Sequence, residues 1–232
     1  MLIVCDQRTE KMTDKESDDR INILCYGDSN TWGCKPIATL DQMFRYNYDQ
    51  RWTGVLRQEL GAGYTIIEEG LNGRTTVFDD PVIGADRNGK TYLEPCLQSH
   101  MPLDLVIIML GTNDLKPRFS STVFDIAGGT SALLSVIARR PTEWIGKIPE
   151  TLLIAPPPLG KLSALADMFE GSAALSEKLG AALRTVALRC GSHFLNAGDH
   201  IKSSPVDGVH LELEDHRLLG HAVAQQVRKI CP

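Results

Sequence analysis

The sequence lacks the features that would mark a secreted, membrane-spanning or nucleic-acid-binding chain. Its six cysteines, at positions 5, 25, 34, 96, 190 and 231, form no CxxC pair and are too sparse in 232 residues for a disulfide-stapled scaffold. Reduced, mostly buried thiols are the expected state. The longest apolar run, Leu105 to Leu110, falls far short of the roughly 20 residues needed to cross a bilayer. The opening Leu2-Ile3-Val4-Cys5 is too short for the core of a signal peptide and has no basic segment before it. There is no basic excess either: 24 Lys and Arg against 29 Asp and Glu leave a net charge of −5, and so no footprint for nucleic acid or an anionic membrane. Neither GxxxxGK[ST] nor GxGxxG occurs, which removes the phosphate-loop and dinucleotide readings. These absences lead us to expect a cytoplasmic protein acting on a small molecule, with no cofactor, metal ion, nucleic acid or membrane as partner.

What is present is an ordinary globular mixture, 43% hydrophobic and 23% charged with 20 Gly and 12 Pro, so collagen-like and disordered readings fail. Residues 1–20 are densely charged, from Asp6 to Arg20, and lack an apolar period; they read as a mobile leader to a single domain over 21–232. Five short apolar runs follow, Ile21–Tyr26, Tyr64–Glu68, Leu103–Leu110, Thr151–Ala155 and His193–Leu195, each expected to be a buried strand. Helical spacing lies between and after them. Trp52, Val55, Leu56 and Leu60 form one such stripe, Ile126, Leu133, Leu134 and Ile137 another. Leu175, Leu179, Leu183 and Val186 form a third, and Leu218, Leu219, Ala222, Val223, Val227 and Ile230 the last. Leu71–Pro95 and Leu159–Gly171 read as loops. Strands alternating with helices predict a three-layer αβα sandwich around a five-stranded parallel sheet.

In such sheets ligands bind outside the carboxyl ends of the strands, so the residues just after each run matter most. Ser29 follows the first run. A serine there can simply cap a helix, or it can be a nucleophile at a helix N-terminus. A nucleophile needs a base and the base an orienter. Asp207-Gly208-Val209-His210 offers both at a spacing of three, close enough for the carboxylate to take the Nδ1 proton and leave Nε2 facing Ser29; on its own the motif is equally a surface turn. Gly73 can present an open backbone N–H and Asn113 a side-chain amide to a developing oxyanion, although Asn113 alone also suits an Asx turn. No Gly-x-Ser-x-Gly surrounds Ser29, so the α/β-hydrolase elbow is absent. His216 and His221 are five apart and misaligned on a helix face, and read as solvated rather than metal-binding.

Taken together, Gly27-Asp28-Ser29-Asn30-Thr31-Trp32-Gly33, Gly70 to Arg74, Gly111-Thr112-Asn113-Asp114 and Asp207 to His210 resemble, in order, the four blocks of the SGNH hydrolases, the GDSL-type lipase and esterase family. The resemblance runs from about Ile21 to the C-terminus. Arg51-Trp52-Thr53-Gly54, Glu68 to Leu71 and Asp104 to Asp114 look more specifically like the arylesterase and carbohydrate acetylesterase branch. The resemblance implies a flavodoxin-like fold, hydrolysis of short-acyl esters of aryl, alkyl or sugar alcohols through an acyl-serine, and a homo-oligomer. By matching positions it implies Ser29 as nucleophile, His210 as base, Asp207 as orienter, and the Ser29 and Gly73 N–H groups with the Asn113 amide as oxyanion hole. Asn30 stands where the family motif has leucine; with Trp32, Pro156 and Val209 it is expected to shape the substrate pocket. Competing readings are a lysophospholipase or thioesterase on the same fold, a non-catalytic acyl or carbohydrate-binding module, and a phosphate- or flavin-binding protein using Asp28 and Asp114 as paired carboxylates near a metal.

Overall fold

Ile21–Tyr26 is apolar at nearly every position because it lies in the middle of a sheet covered on both faces. The computed structural model describes residues 20–139 and 147–232; the expected leader, apart from Arg20, lies outside the described residues. Within them, β1 (Ile21–Gly27), β2 (Tyr64–Gly70), β3 (Leu105–Met109), β4 (Glu150–Ala155) and β5 (His193–Asn196) form one parallel sheet in the order β2-β1-β3-β4-β5. Gly27 lies level with Gly70 on one side and with Met109 on the other, so three strands end together. Strand order reverses between β1 and β3, which puts a ligand crevice at that edge.

The period-two alternation of the strands sorts side chains onto two faces. Ile23 and Cys25 of β1 and Leu105, Ile107 and Met109 of β3 pack with α2 (Trp52–Leu60) and the C-terminal helix (Leu213–Ile230), through Trp52, Leu56, Leu219 and Val223. Leu24, Tyr26, Val106 and Ile108 point the other way, toward α3 (Gly89–His100), α4 (Val123–Ala138) and α5 (Ala173–Cys190). The one-turn helix α1 spans Ser29–Trp32, and the C-terminal helix is α6. All four predicted apolar stripes fall on helices, and the three-layer sandwich is the observed architecture.

One expectation fails. Leu71–Pro95 is a loop only as far as Asn88, because α3 begins at Gly89 and runs through Pro95. The Asn88 side chain caps it by accepting from the Lys90 and Thr91 N–H groups, and Leu93, Cys96 and Leu97 form a buried stripe against the sheet. A proline in a helix removes one donor; this stripe and cap outweigh that loss.

Candidate active site

The end of β1 delivers Ser29 to the crevice. Two residues after Gly27 the chain turns into α1, and the Asp28 carboxylate caps that turn by accepting from the Asn30 N–H at 2.9 Å. On the opposite rim, the segment before α6 folds around Asp207. Its Oδ1 accepts from the Val209 and His210 N–H groups, both at 2.9 Å, and its Oδ2 from the Ile37 N–H at 2.7 Å and from His210 Nδ1 at 2.6 Å. The turn requires Gly208: its φ is +77°, and a Cβ there would lie 2.8 Å from the Lys161 carbonyl carbon. His210 Nε2 consequently comes to 3.1 Å from Ser29 Oγ. Hydroxyl, imidazole and carboxylate thus stand in one hydrogen-bonded line.

The electrostatics follow from burial and bonding. Burial alone would push the His210 pKa down, but the Asp207 hydrogen bond, with Cys34 beside the ring, raises it to about 9. Burial likewise works against the Asp207 charge; the bonds from His210, Ile37 and Val209 outweigh it and hold the carboxyl below its ordinary range.

Three donors face the same edge. Among the described residues, the backbone N–H groups of Ser29 and Gly73 donate to no acceptor. The Asn113 amide donates to the Arg74 carbonyl at 3.1 Å and lies 3.5 Å from Asp28. Arg74 is buried flat against Tyr26, its guanidinium carbon 4.1 Å from the ring centroid, and it donates to the Gly27 carbonyl at 2.8 Å and to the Glu69 carbonyl. It therefore ties the ends of β1 and β2 to the loop carrying Gly73. Asp114 accepts from the Thr76 N–H at 2.9 Å and from its hydroxyl. Burial pushes both Asp28 and Asp114 up to about 6, in Asp114 with the Asp28 charge adding to it. Both are buried in this scaffold and neither lines the crevice, which removes the paired-carboxylate metal reading.

Above Ser29 opens a cavity of about 420 Å³. Gly73, Asn113, His210 and Val209 line it with Ser29; Asn30, Trp32 and Pro156 do not. Asn30 is buried behind Ser29 and donates to the Val209 carbonyl at 3.2 Å, so it braces the loop carrying Asp207 and His210. Trp32 anchors the rim instead, with the Arg45 guanidinium 4.6 Å from its ring centroid and Arg45 Nε donating to its carbonyl at 2.7 Å. Pro156 is buried at the end of β4. The sequence reading missed the actual walls: Cys34, Ile37, Arg87, Lys116 and the Leu165–Phe169 segment. Only Lys116, three residues after Asn113, carried a signal, through its nearness to a strand end.

The expected solvated His216 is also a correction. It is fully buried on the face of α6 turned to α2, where its Nδ1 accepts from the Trp52 N–H at 3.2 Å and its ring meets Tyr46 edge-on. Burial, with His210 and Arg51 nearby, drops its pKa to about 3, so it stays neutral. One group with metal-ligand chemistry exists among the described residues: Glu69, Cys96 and His100, whose ligand atoms lie within 4.8 Å of one another. Burial and the Glu69 charge raise Cys96 to about 12, which keeps it a thiol, and His100 Nε2 already pairs with Glu69 at 3.0 Å. Among the described residues no helix is long and apolar enough to cross a membrane.

A doubly wound sheet with serine, histidine and aspartate converging on its switch point defines the three-layer SGNH-type ester hydrolases. Residues 25–218 match the model of the GDSL-like Lipase/Acylhydrolase family, and the chain belongs to that family. Among solved structures it is similar to Est24, a carbohydrate acetylesterase from Sinorhizobium meliloti, at 42% identity and a TM-score of 0.87, covering 91% of this chain and 100% of that one. The native aryl esterase of M. smegmatis is equally similar, at 42% identity and 0.87, covering 90% and 99%. A carbohydrate acetylesterase family member from Sinorhizobium meliloti follows at 38% and 0.83, covering 90% and 98%. No curated protein matches. Family and neighbours together make this chain a carboxylic ester hydrolase.

Proposed function

We propose that the chain cleaves short-acyl esters through an acyl-serine on Ser29. The carrying observation is the line Ser29 Oγ, His210 Nε2 at 3.1 Å, His210 Nδ1 and Asp207 Oδ2 at 2.6 Å. Ser29 Oγ attacks the ester carbonyl carbon as its proton passes to His210 Nε2, and Asp207 stabilises the imidazolium. The Ser29 and Gly73 N–H groups with the Asn113 amide face the oxyanion. Collapse breaks the bond to the alcohol oxygen, which takes the proton from His210. Water then attacks the acyl carbon by the same route and frees the acid. The acetyl- and aryl-ester names of the similar structures support a short acyl group.

A fluorophosphonate should label Ser29 alone, located by peptide mass spectrometry, and Ser29→Ala should take up none. Para-nitrophenyl acetate should be cleaved faster than the octanoate. A preference for acyl chains of eight carbons or more would overturn the short-acyl reading in favour of a lysophospholipase or thioesterase. Unimpaired hydrolysis by Ser29→Ala would overturn the mechanism itself.

The chain also reads as a homo-oligomer of a reducing, cytoplasmic compartment. Leu40, Met43 and Ile83 beside the cavity, with neighbouring Phe44 and Val82, expose large apolar side chains, a patch of the kind that self-association covers. Cys25, Cys34, Cys96, Cys190 and Cys231 carry free thiols. Sedimentation velocity giving a monomer at micromolar concentration would overturn the assembly.

A further inference from the structure

The cavity above Ser29 is uneven in charge. Two cationic side chains, Lys116 and Arg87, lie in its wall, and no Asp or Glu is among the described residues that line it. Lys116 follows the short turn Asn113–Leu115 at the end of β3, and its side chain is 2% exposed. Its ammonium sits 5.9 Å from the centroid of Phe169, a wall residue. Its ion-pair partner is Asp80 Oδ2 at 3.9 Å, beyond hydrogen-bond distance. Asp80 Oδ1 accepts from Arg118 at 3.1 Å and from the Val82 and Ile83 N–H groups, whereas Oδ2, the oxygen facing Lys116, makes no hydrogen bond among the described residues. The other carboxylates that offset the Lys116 charge, Asp28 and Asp114, are buried behind the wall.

Arg87 lies beside Gly73 in the same cavity. Its Nε would lie 3.9 Å from a Cβ placed on Gly73, and that Nε is buried with no acceptor among the described residues. Its carboxylate partner among the described residues, Asp86 at 3.0 Å, is itself 66% exposed, so the pair is solvent-screened and weak. A buried cation with unfilled donors is costly unless something fills them, and a carboxylate does so most strongly. Leu165, Met168 and Phe169 line the same cavity with apolar side chains.

We propose that Lys116 and Arg87 are specificity-determining residues that select esters carrying a carboxylate, on either the acyl or the leaving-alcohol side. This deepens the Ser29 reading and depends on it. The test compares kcat/KM for para-acetoxybenzoate with phenyl acetate, which probes the alcohol side. Mono-para-nitrophenyl succinate compared with para-nitrophenyl butyrate probes the acyl side. One anionic ester should exceed its neutral counterpart by about tenfold, mainly through KM, the effect expected of one charge-assisted hydrogen bond. Lys116→Met and Arg87→Gln should each collapse that ratio, and Lys116→Arg should retain most of it. Wild-type protein that cleaves the neutral esters but favours neither anionic one overturns the proposal and leaves the esterase standing. A preference undiminished in both Lys116→Met and Arg87→Gln overturns it equally. Wild-type protein that cleaves none of the four esters overturns the Ser29 reading and the proposal with it. If Lys116→Met fails to fold, Arg87→Gln and Lys116→Arg still decide.

Discussion

The floor of the site and its rim are built in opposite ways. On the floor the reacting side chains are buried and bonded from several stretches of chain: Asp207 accepts three bonds from its own loop and one from Ile37, Asn113 reaches the Arg74 carbonyl, and Asn30 reaches Val209. On the rim, Leu40 is 70% exposed and Val82 73%, and the segment carrying Leu40 hangs on a few contacts such as Lys35 N–H to the Phe44 carbonyl and Arg45 to Trp32. Acyl transfer is sensitive to ångström-scale misplacement, and recognition of an alcohol is not, so rigidity is concentrated where the reacting atoms lie. Among the bonds that join the two regions, the Ile37 N–H donates to Asp207 at 2.7 Å and the Cys34 N–H to the Ser29 carbonyl at 2.9 Å.

Changes on the floor should therefore cost rate. Asp207→Asn puts an amide where two donors, Ile37 N–H and His210 Nδ1–H, converge on one oxygen, so the ring loses its tautomer and orientation. A loss of about 10⁴ in kcat is expected, the size measured for the equivalent change in a serine protease. Asn113→Ala removes one oxyanion donor and should lower kcat by about 10²–10³ with KM little changed, read by steady-state kinetics. A larger effect on KM than on kcat would show that Asn113 holds ground-state substrate instead.

The pH dependence sharpens the same contrast. Only neutral His210 can accept the Ser29 proton, so kcat/KM should fall about tenfold per pH unit below its pKa near 9. In Asp207→Asn that limb should move to lower pH, because burial then meets only the smaller opposing effect of Cys34. Stability carries the opposite sign. The raised His210 pKa stabilises the fold fully below the unfolded value of about 6.5, and this contribution is lost as pH rises through about 9. Thermal melts across that window should show a decline that a His210→Gln variant lacks.

The floor was legible in the sequence because Ser29, Gly73 and Asn113 sit just after strands, where chain position fixes spatial position, and because the three-residue spacing of Asp207 and His210 joins them locally. The walls were not. Trp32 lies three residues after Ser29 yet turns outward to hold Arg45, while Arg87 reaches the cavity from the far end of a long loop. Local spacing contains neither fact, since both depend on how loops pack across the sheet. Pro95 concealed α3 for a related reason: a breaker residue is visible locally, whereas the sheet surface that buries Leu93 and Leu97 is not.

The smallest expected effect bears most directly on whether floor and rim are separate. Leu40 lines the cavity but keeps 70% of its surface exposed within one protomer, so Leu40→Ala removes little packing inside the subunit and should change the subunit's own stability by less than about 0.5 kcal/mol. Its lost contact with substrate should raise KM for para-nitrophenyl acetate by roughly threefold, the order expected when a partly covered methyl pair is deleted. No atom of the triad depends on it, so kcat should not move. A fall in kcat of tenfold or more would mean that the rim segment sets the position of Asp207 through the Ile37 N–H, and that the two regions act as one body.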